Sequence, residues 1–413
     1  MTAAARAAEA GARSKGVAGA AMTASDTPPP LPLAGIRVVE IAQNLAGPFA
    51  GEILAALGAE VVKVERPEGD DARGWGPPFV GGAAATFQTV NRGKRSVALD
   101  LKDERAVAWL KDHLLGCDIL VQNLRPGAME ALGLDAESLR ARNPRLIYCS
   151  LHAFGRAGPK RLAPGYEPIV QAFAGMFSVN GTREGPPSRV GMQVLDLGTG
   201  VWAALGCLAA LLRRARTGEG CVVDTSLFET ALGWMTIHLA AFGVTGRQPP
   251  RDRTGSPRLI VFQAFETADG ELVVAAANDR LFARLAVELG RADWARDPRF
   301  RTNADRIAHR DLLIPEMEAI FRARPTAEWA RRLEAIGIPC SPINDLAAVR
   351  DDPQTAAIGA LAPLPDLPEL RTVGLPVSFD GVRPAHRHRA PALGADNAAL
   401  GAPVPGGARA TRP

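Results

Sequence analysis

The chain has 413 residues, 47% of them hydrophobic and 22% charged, which excludes a wholly disordered chain and implies more than one core. Its 48 basic and 44 acidic residues leave a net charge of +4, too balanced for a dedicated nucleic-acid binder. Gly (42) and Pro (33) are abundant without a Gly-X-Y period, which rules out collagen.

Residues 1–32 are rich in Ala, Gly, Ser, Thr and Pro and lack the apolar core of a signal peptide, so they read as a disordered leader, with Met22 as an alternative start. From residue 36 the pattern is regular. Strands are expected over 36–42, 59–65, 96–100, 118–122 and 145–151, and helices over 51–57, 103–115 and 136–141. This alternation indicates βαβ units around a parallel sheet. A sixth unit follows: a strand over 189–195, a buried helix over 200–214, a strand over 221–224 and a long helix over 226–241. The longest apolar run, 201–212, is too short for a membrane span of about 20 residues, so no membrane partner is expected.

A Pro/Arg/Gly stretch near 246–257 marks a boundary. Beyond it, strands over 259–265 and 271–276 flank Asp269-Gly270, a hairpin signal, and helices over 280–289, 305–322 and 326–336 follow. The expected organisation is a leader (1–32), a large domain (33–245), a small α+β domain (246–345), a C-terminal segment returning to the large domain (346–400) and a disordered tail (401–413). Five widely spaced cysteines without C-x-x-C read as reduced thiols of a cytoplasmic protein. The six histidines show no metal-ligand spacing, so no metal site is expected.

Ligands of parallel sheets sit beyond the carboxyl ends of the strands. Those ends carry Gln43 and Asn44, Arg66, Lys102, then Asn123 and Arg125, which suits a phosphorylated ligand. Gly198-Thr-Gly200-Val-Trp-Ala203 fits G-x-G-x-x-A, with Asp224 near the end of the next strand, the outline of a dinucleotide fingerprint and so of an NAD-type binding protein. Asp196 sits badly there: its charge would face a pyrophosphate. Asp196 and Glu167, each at a loop–helix junction, are candidates for acid–base or nucleophilic work, or plain helix caps.

The stretches LAGIRVVEIAQNLAGPFAGEILAALGAEVVKVERP, GKRSVALDLK, DILVQNLRPG, NPRLIYCSLHAFGRAGP, GYEPIVQAFAG and GMQVLDLGTGVWAALG resemble the class III CoA-transferase family (CaiB/BaiF type), as do later segments to about residue 400. That family includes formyl-CoA and carnitinyl-CoA transferases and α-methylacyl-CoA racemase. The resemblance implies a Rossmann-like large domain with a smaller α+β domain, and two chains interlocked as a homodimer. It implies CoA transfer from an acyl-CoA thioester to a free carboxylic acid, with no tightly bound cofactor and no metal. Asp196 would be the catalytic residue, forming anhydride and aspartyl-CoA thioester intermediates. Tyr166, Glu167 and Gly198 would support it, and CoA contacts would come from Gln43, Asn44, Ala46, Arg66, Leu99, Lys102 and Asn123. In the racemase relatives a histidine aligns with Tyr166. A tyrosine, with pKa about 10, is a poor base at neutral pH, so transfer is preferred to racemisation.

Overall fold

The computed structural model describes residues 31–405. The expected leader lies almost wholly outside the described residues, as do Met22 and most of the expected tail. Ala402 is buried beside Leu400 and Asn397 donates to Pro403 O, so the packed chain runs past the Gly401 boundary drawn from composition.

A six-stranded parallel sheet organises residues 37–226. Its strands are β1 (Arg37–Ile41), β2 (Glu60–Glu65), β3 (Arg95–Ala98), β4 (Ile119–Gln122), β5 (Ile147–His152) and β6 (Val222–Ser226). The spatial order is β3-β2-β1-β4-β5-β6, the doubly wound Rossmann order. The order in which strands are added reverses between β1 and β4, where Val38 to Ile41 pair with Ile119 to Gln122. That switch point is where such sheets open a crevice for a ligand. Both faces are covered, so the central strands read as runs of Val, Ile and Leu, broken by Glu40 and Lys63, rather than alternating.

Helix α1 (Ala46–Ala56) leaves the switch point. It starts five residues before the expected helix, because Ala46, Gly47 and Pro48 form its first turn, where proline's missing N–H costs nothing. Helices α2 (Ala85–Asn91), α3 (Glu104–Leu115), α4 (Ala136–Arg142) and α5 (Glu167–Phe173) follow, then α6 (Val194–Thr217). The strand expected over 189–195 is absent. Val190 gives its N–H and C=O to the Gln171 side chain instead of a neighbouring strand, and α6 begins at Val194. By length and composition α6 could cross a membrane, which the short run 201–212 did not predict. Here it packs along α1 and against β5 and β6.

The helix expected over 226–241 is two: α7 (Leu227–Trp234) and α8 (Thr236–Thr245), meeting at 64°. Ser226 starts α7 as a cap, its Oγ accepting from Glu229 N.

Residues 260–342 build a second core around an antiparallel sheet of β7 (Phe262–Glu266), β8 (Glu271–Ala275) and β9 (Cys340–Pro342). The β7–β8 hairpin turns at Asp269-Gly270, the signal read from the sequence. Helices α9 (Asp279–Glu288), α10 (Asn303–Ala308), α11 (Arg310–Phe321) and α12 (Thr326–Ala335) pack Phe282, Phe321 and Trp329 onto it. The chain then returns to the first sheet. Asp396 and Asn397 hydrogen-bond the backbone of Ser96 and Ala98 along β3, at 2.9 Å in each case.

Candidate active site

Strand β1 ends in a turn the backbone would not adopt unaided. Asn44 lies at φ +68°, a left-handed conformation that asparagine accepts better than most residues. Gln43 N donates to Asn123 Oδ1 at 2.8 Å, and Asn123 Nδ2 returns a bond to Gln43 O at 2.8 Å. The ends of β1 and β4 are thus tied together across the switch point. Asn44 N donates to Asp70 Oδ1 at 3.1 Å, while its own Oδ1 is buried without a partner. A buried, unsatisfied amide oxygen is costly and is a ready acceptor for a ligand N–H or hydroxyl. Ala46 is buried in the first turn of α1 beside this turn.

Helix α6 brings the candidate nucleophile to the same place. A Cβ on Gly200 would lie 2.8 Å from Ala46 O, so the second turn of α6 nearly touches the first turn of α1. Asp196 sits in the first turn of α6, half-buried. Glu167, the first residue of α5, caps α6 from outside: its Oε1 accepts from Leu195 N at 3.0 Å and from Gln171 Nε2 at 2.9 Å. Glu167 Oε2 is buried and lacks a donor. A protonated Asp196 beside it can provide one. Burial, then the adjacent Glu167 charge, raise Asp196 to about 7, against a smaller opposing pull from Arg189. The helix N-terminus favours the anion, but here burial and the second carboxylate outweigh it. The pair therefore offers a carboxylate that exchanges its proton near neutrality in a partly dehydrated setting, a profile suited to nucleophilic or acid–base work.

The glycine pattern at 198–203 has another role. Gly198 and Gly200 lie within α6, with no strand before them. Their missing side chains admit Trp234 and Ala46 O, the nearest atoms standing 3.0 and 2.8 Å from where a Cβ would be. The dinucleotide reading of this segment is corrected: the glycines allow helices to pack, and no loop is free to cradle a pyrophosphate.

The other expected residues divide. Arg66 follows β2 and is half-exposed, with its guanidinium held by Gly69 O and Asp71. Leu99 is 1% exposed, its side chain in the core, and its N–H bonded to Glu65 O, so it presents no side chain to a ligand. Lys102 is exposed just beyond β3, its ammonium outside any ion pair among the described residues. Tyr166 precedes α5 and is 64% exposed. Beyond the ends of β4, β5 and β6 lies an open cavity of about 470 Å³, lined by Arg125, Tyr148, His152, Arg156 and Asp224 among others. His152 and Arg156 were not anticipated. Asp224, noted at a strand end, holds both, each at 3.2 Å.

Residues 33–397 match the family model described as CoA-transferase family III. The chain belongs to CoA-transferase family III. It is 36% identical to succinyl-CoA:glutarate CoA-transferase of Mus musculus over 88% of this chain and 84% of that protein. It is 38% identical to acetyl-CoA:oxalate CoA-transferase of Acetobacter aceti, over 89% and 95% respectively. A solved CaiB/BaiF family protein from Brucella suis superposes with a TM-score of 0.81 at 36% identity, covering 90% of this chain and 99% of that one. This family III CoA-transferase is therefore an enzyme that moves CoA from an acyl-CoA thioester to a carboxylic acid; the racemase and NAD-type readings are set aside.

Proposed function

We propose that Asp196 is the nucleophile of this transfer and that the acyl-CoA lies along the carboxyl edge of the parallel sheet. The observation that carries the reading is the Asp196–Glu167 pair, set at the N-terminus of α6 against the switch-point turn. An Asp196 oxygen attacks the thioester carbonyl. The C–S bond breaks, leaving a mixed anhydride and CoA thiolate. The thiolate then attacks the Asp196 acyl carbon, releasing the donor acid and leaving an aspartyl-CoA thioester. An acceptor carboxylate attacks that thioester to form a second anhydride and free the thiolate again. Attack of the thiolate on the acceptor's carbonyl yields the new acyl-CoA and restores the Asp196 carboxylate.

Gln43, Asn44, Ala46 and Asn123 are the proposed contacts for the CoA moiety beside the chemistry. Lys102 and the arginines of the cavity beyond β4–β6 suit its phosphates, and Arg66 joins them if it exchanges Asp71 for phosphate. Leu99 contributes only by shaping the floor. Arg189 exerts a weak opposing pull on Asp196 and has no ion pair or hydrogen bond among the described residues. It suits an acceptor acid with a second carboxylate, the class that the glutarate and oxalate names of the two relatives share.

The working unit is proposed to be a homodimer. Helix α8 buries none of its residues although its sequence, TIHLAAFGVT, is largely apolar. With Trp202 and Leu205 of α6 and Trp234 of α7 it leaves an exposed apolar face that a second copy would cover. Five free cysteines suit a cytoplasmic setting.

The test is trapping. Incubation with succinyl-CoA, then hydroxylamine, should leave a hydroxamate on the peptide bearing Asp196, read by mass spectrometry. Asp196→Ala should lose the adduct and at least about 10³-fold in exchange rate, the scale on which removed nucleophiles act. Wild-type-like exchange in that variant would sink the assignment.

A further inference from the structure

Beneath the switch-point turn lies a cluster of charges with no place in the chemistry above. Glu40 on β1, Lys63 on β2 and Lys94 just before β3 are fully buried. Lys63 Nζ donates to Glu40 Oε1 at 3.0 Å, to Ala42 O at 2.8 Å and to Asp70 Oδ2 at 2.9 Å. Lys94 Nζ meets Glu40 Oε2 at 2.6 Å, Pro48 O at 2.8 Å and Asn91 Oδ1 at 2.8 Å. Lys63 thus spends its three donors on three fixed acceptors, while Lys94 donates to two and forms an ion pair with Glu40 Oε2.

The geometry has a direction. The two lysines share one carboxylate, and each takes hold of a backbone carbonyl on a different side of the Gln43–Asn44 turn: Ala42 before it, Pro48 after it. The third arm of Lys63 fixes Asp70, whose other oxygen accepts from Asn44 N within the left-handed turn. Even the glycine above is dictated by this arrangement, since a Cβ on Gly51 would sit 1.9 Å from Glu40 Oε2. Buried ion clusters rarely stabilise more than apolar residues of equal volume, because desolvating the charges offsets their attraction. Their distinctive product is a unique geometry.

We infer that Glu40, Lys63, Lys94 and Asp70 are positioning residues that preset the Gln43–Asn44 turn to receive acyl-CoA. The inference rests on the reading of that turn as a CoA contact. A turn held in its bound form spares the substrate the cost of ordering it, so loosening the clamp should weaken acyl-CoA binding more than it slows chemistry.

The experiment compares three enzymes in steady-state exchange from succinyl-CoA to glutarate: Lys63→Met, the double variant Lys63→Met/Asp70→Asn, and Asn44→Ala. The double variant removes one positive and one negative charge together, so the remaining Glu40–Lys94 pair stays balanced and the protein is expected to fold. It should raise the KM for succinyl-CoA about tenfold or more, a cost typical of small misplacements in a site. The KM for glutarate and kcat should stay within about threefold, and CoA binding by calorimetry should weaken in parallel. A generally loosened fold would not split the parameters in this way. If Asn44→Ala raises the succinyl-CoA KM and the folded double variant does not, the clamp is refuted while the turn stands as a CoA contact. If neither moves it, the reading of the turn itself fails. Failure of both Lys63 variants to fold would make the cluster a folding element and overturn the positioning role.

Discussion

Two carboxylates decide the chemistry at the residue scale. Asp196 must be ionised to attack, and burial with the neighbouring Glu167 raises it to about 7. A group raised in this way is protonated below its folded value, so kcat/KM for acyl-CoA should rise with pH and level off above about 7. Glu167→Gln removes the neighbouring charge, and the midpoint should then fall by about one unit, the scale of a single close charge. A pH–rate profile of the two enzymes checks this; an unmoved midpoint would mean that burial alone sets Asp196. Asp196 and Glu167 were legible in the sequence because each stands at a helix start where an acid needs a reason. Their partnership was not, since the 29 positions separating them close only when α5 and α6 meet end to end. Lys63 and Lys94 escaped notice for a related reason: each lies in a stretch that reads as an ordinary buried strand or the turn before one, and only the sheet brings both to Glu40.

At the scale of elements, the βα alternation announced the sheet well, with all six of its strands found within two residues of where the apolar runs placed them. The miss at 189–195 came from apolar alternation at Val190, Met192 and Val194, which imitates a strand; the backbone bonds there go to a glutamine side chain. The same error pushed the start of α6 past Asp196 and made packing glycines resemble a phosphate loop. Gly200 tests the corrected view. Alanine in a helix interior gains about 1 kcal/mol over glycine from backbone entropy. Here its Cβ would press on the backbone of Ala46, which cannot rotate away, and overpacking costs about 1–3 kcal/mol. Gly200→Ala should therefore lower stability in urea unfolding instead of raising it, and reduce exchange activity as α6 shifts against the turn. A stabilised variant would contradict the close approach.

For the whole molecule, the apolar face of α6, α7 and α8 is unexplained in an isolated chain: Val244 alone is 88% exposed. Light scattering at micromolar concentration should give twice the mass of the chain, and a monomer would remove the proposed assembly. Composition alone does not draw the other long-range connection, the return of the C-terminal segment, which was expected from the family motifs. Asp396 and Asn397 bond the free backbone edge of β3 as a neighbouring strand would, some 300 positions after it in the sequence. This has a consequence for the order of synthesis. A nascent chain emerges with five strands of its main sheet by residue 152, yet the open side of β3 stays uncovered until Asp396 and Asn397 have been made. The enzyme carries its own seal against edge-to-edge association, and that seal is made long after the strand it covers.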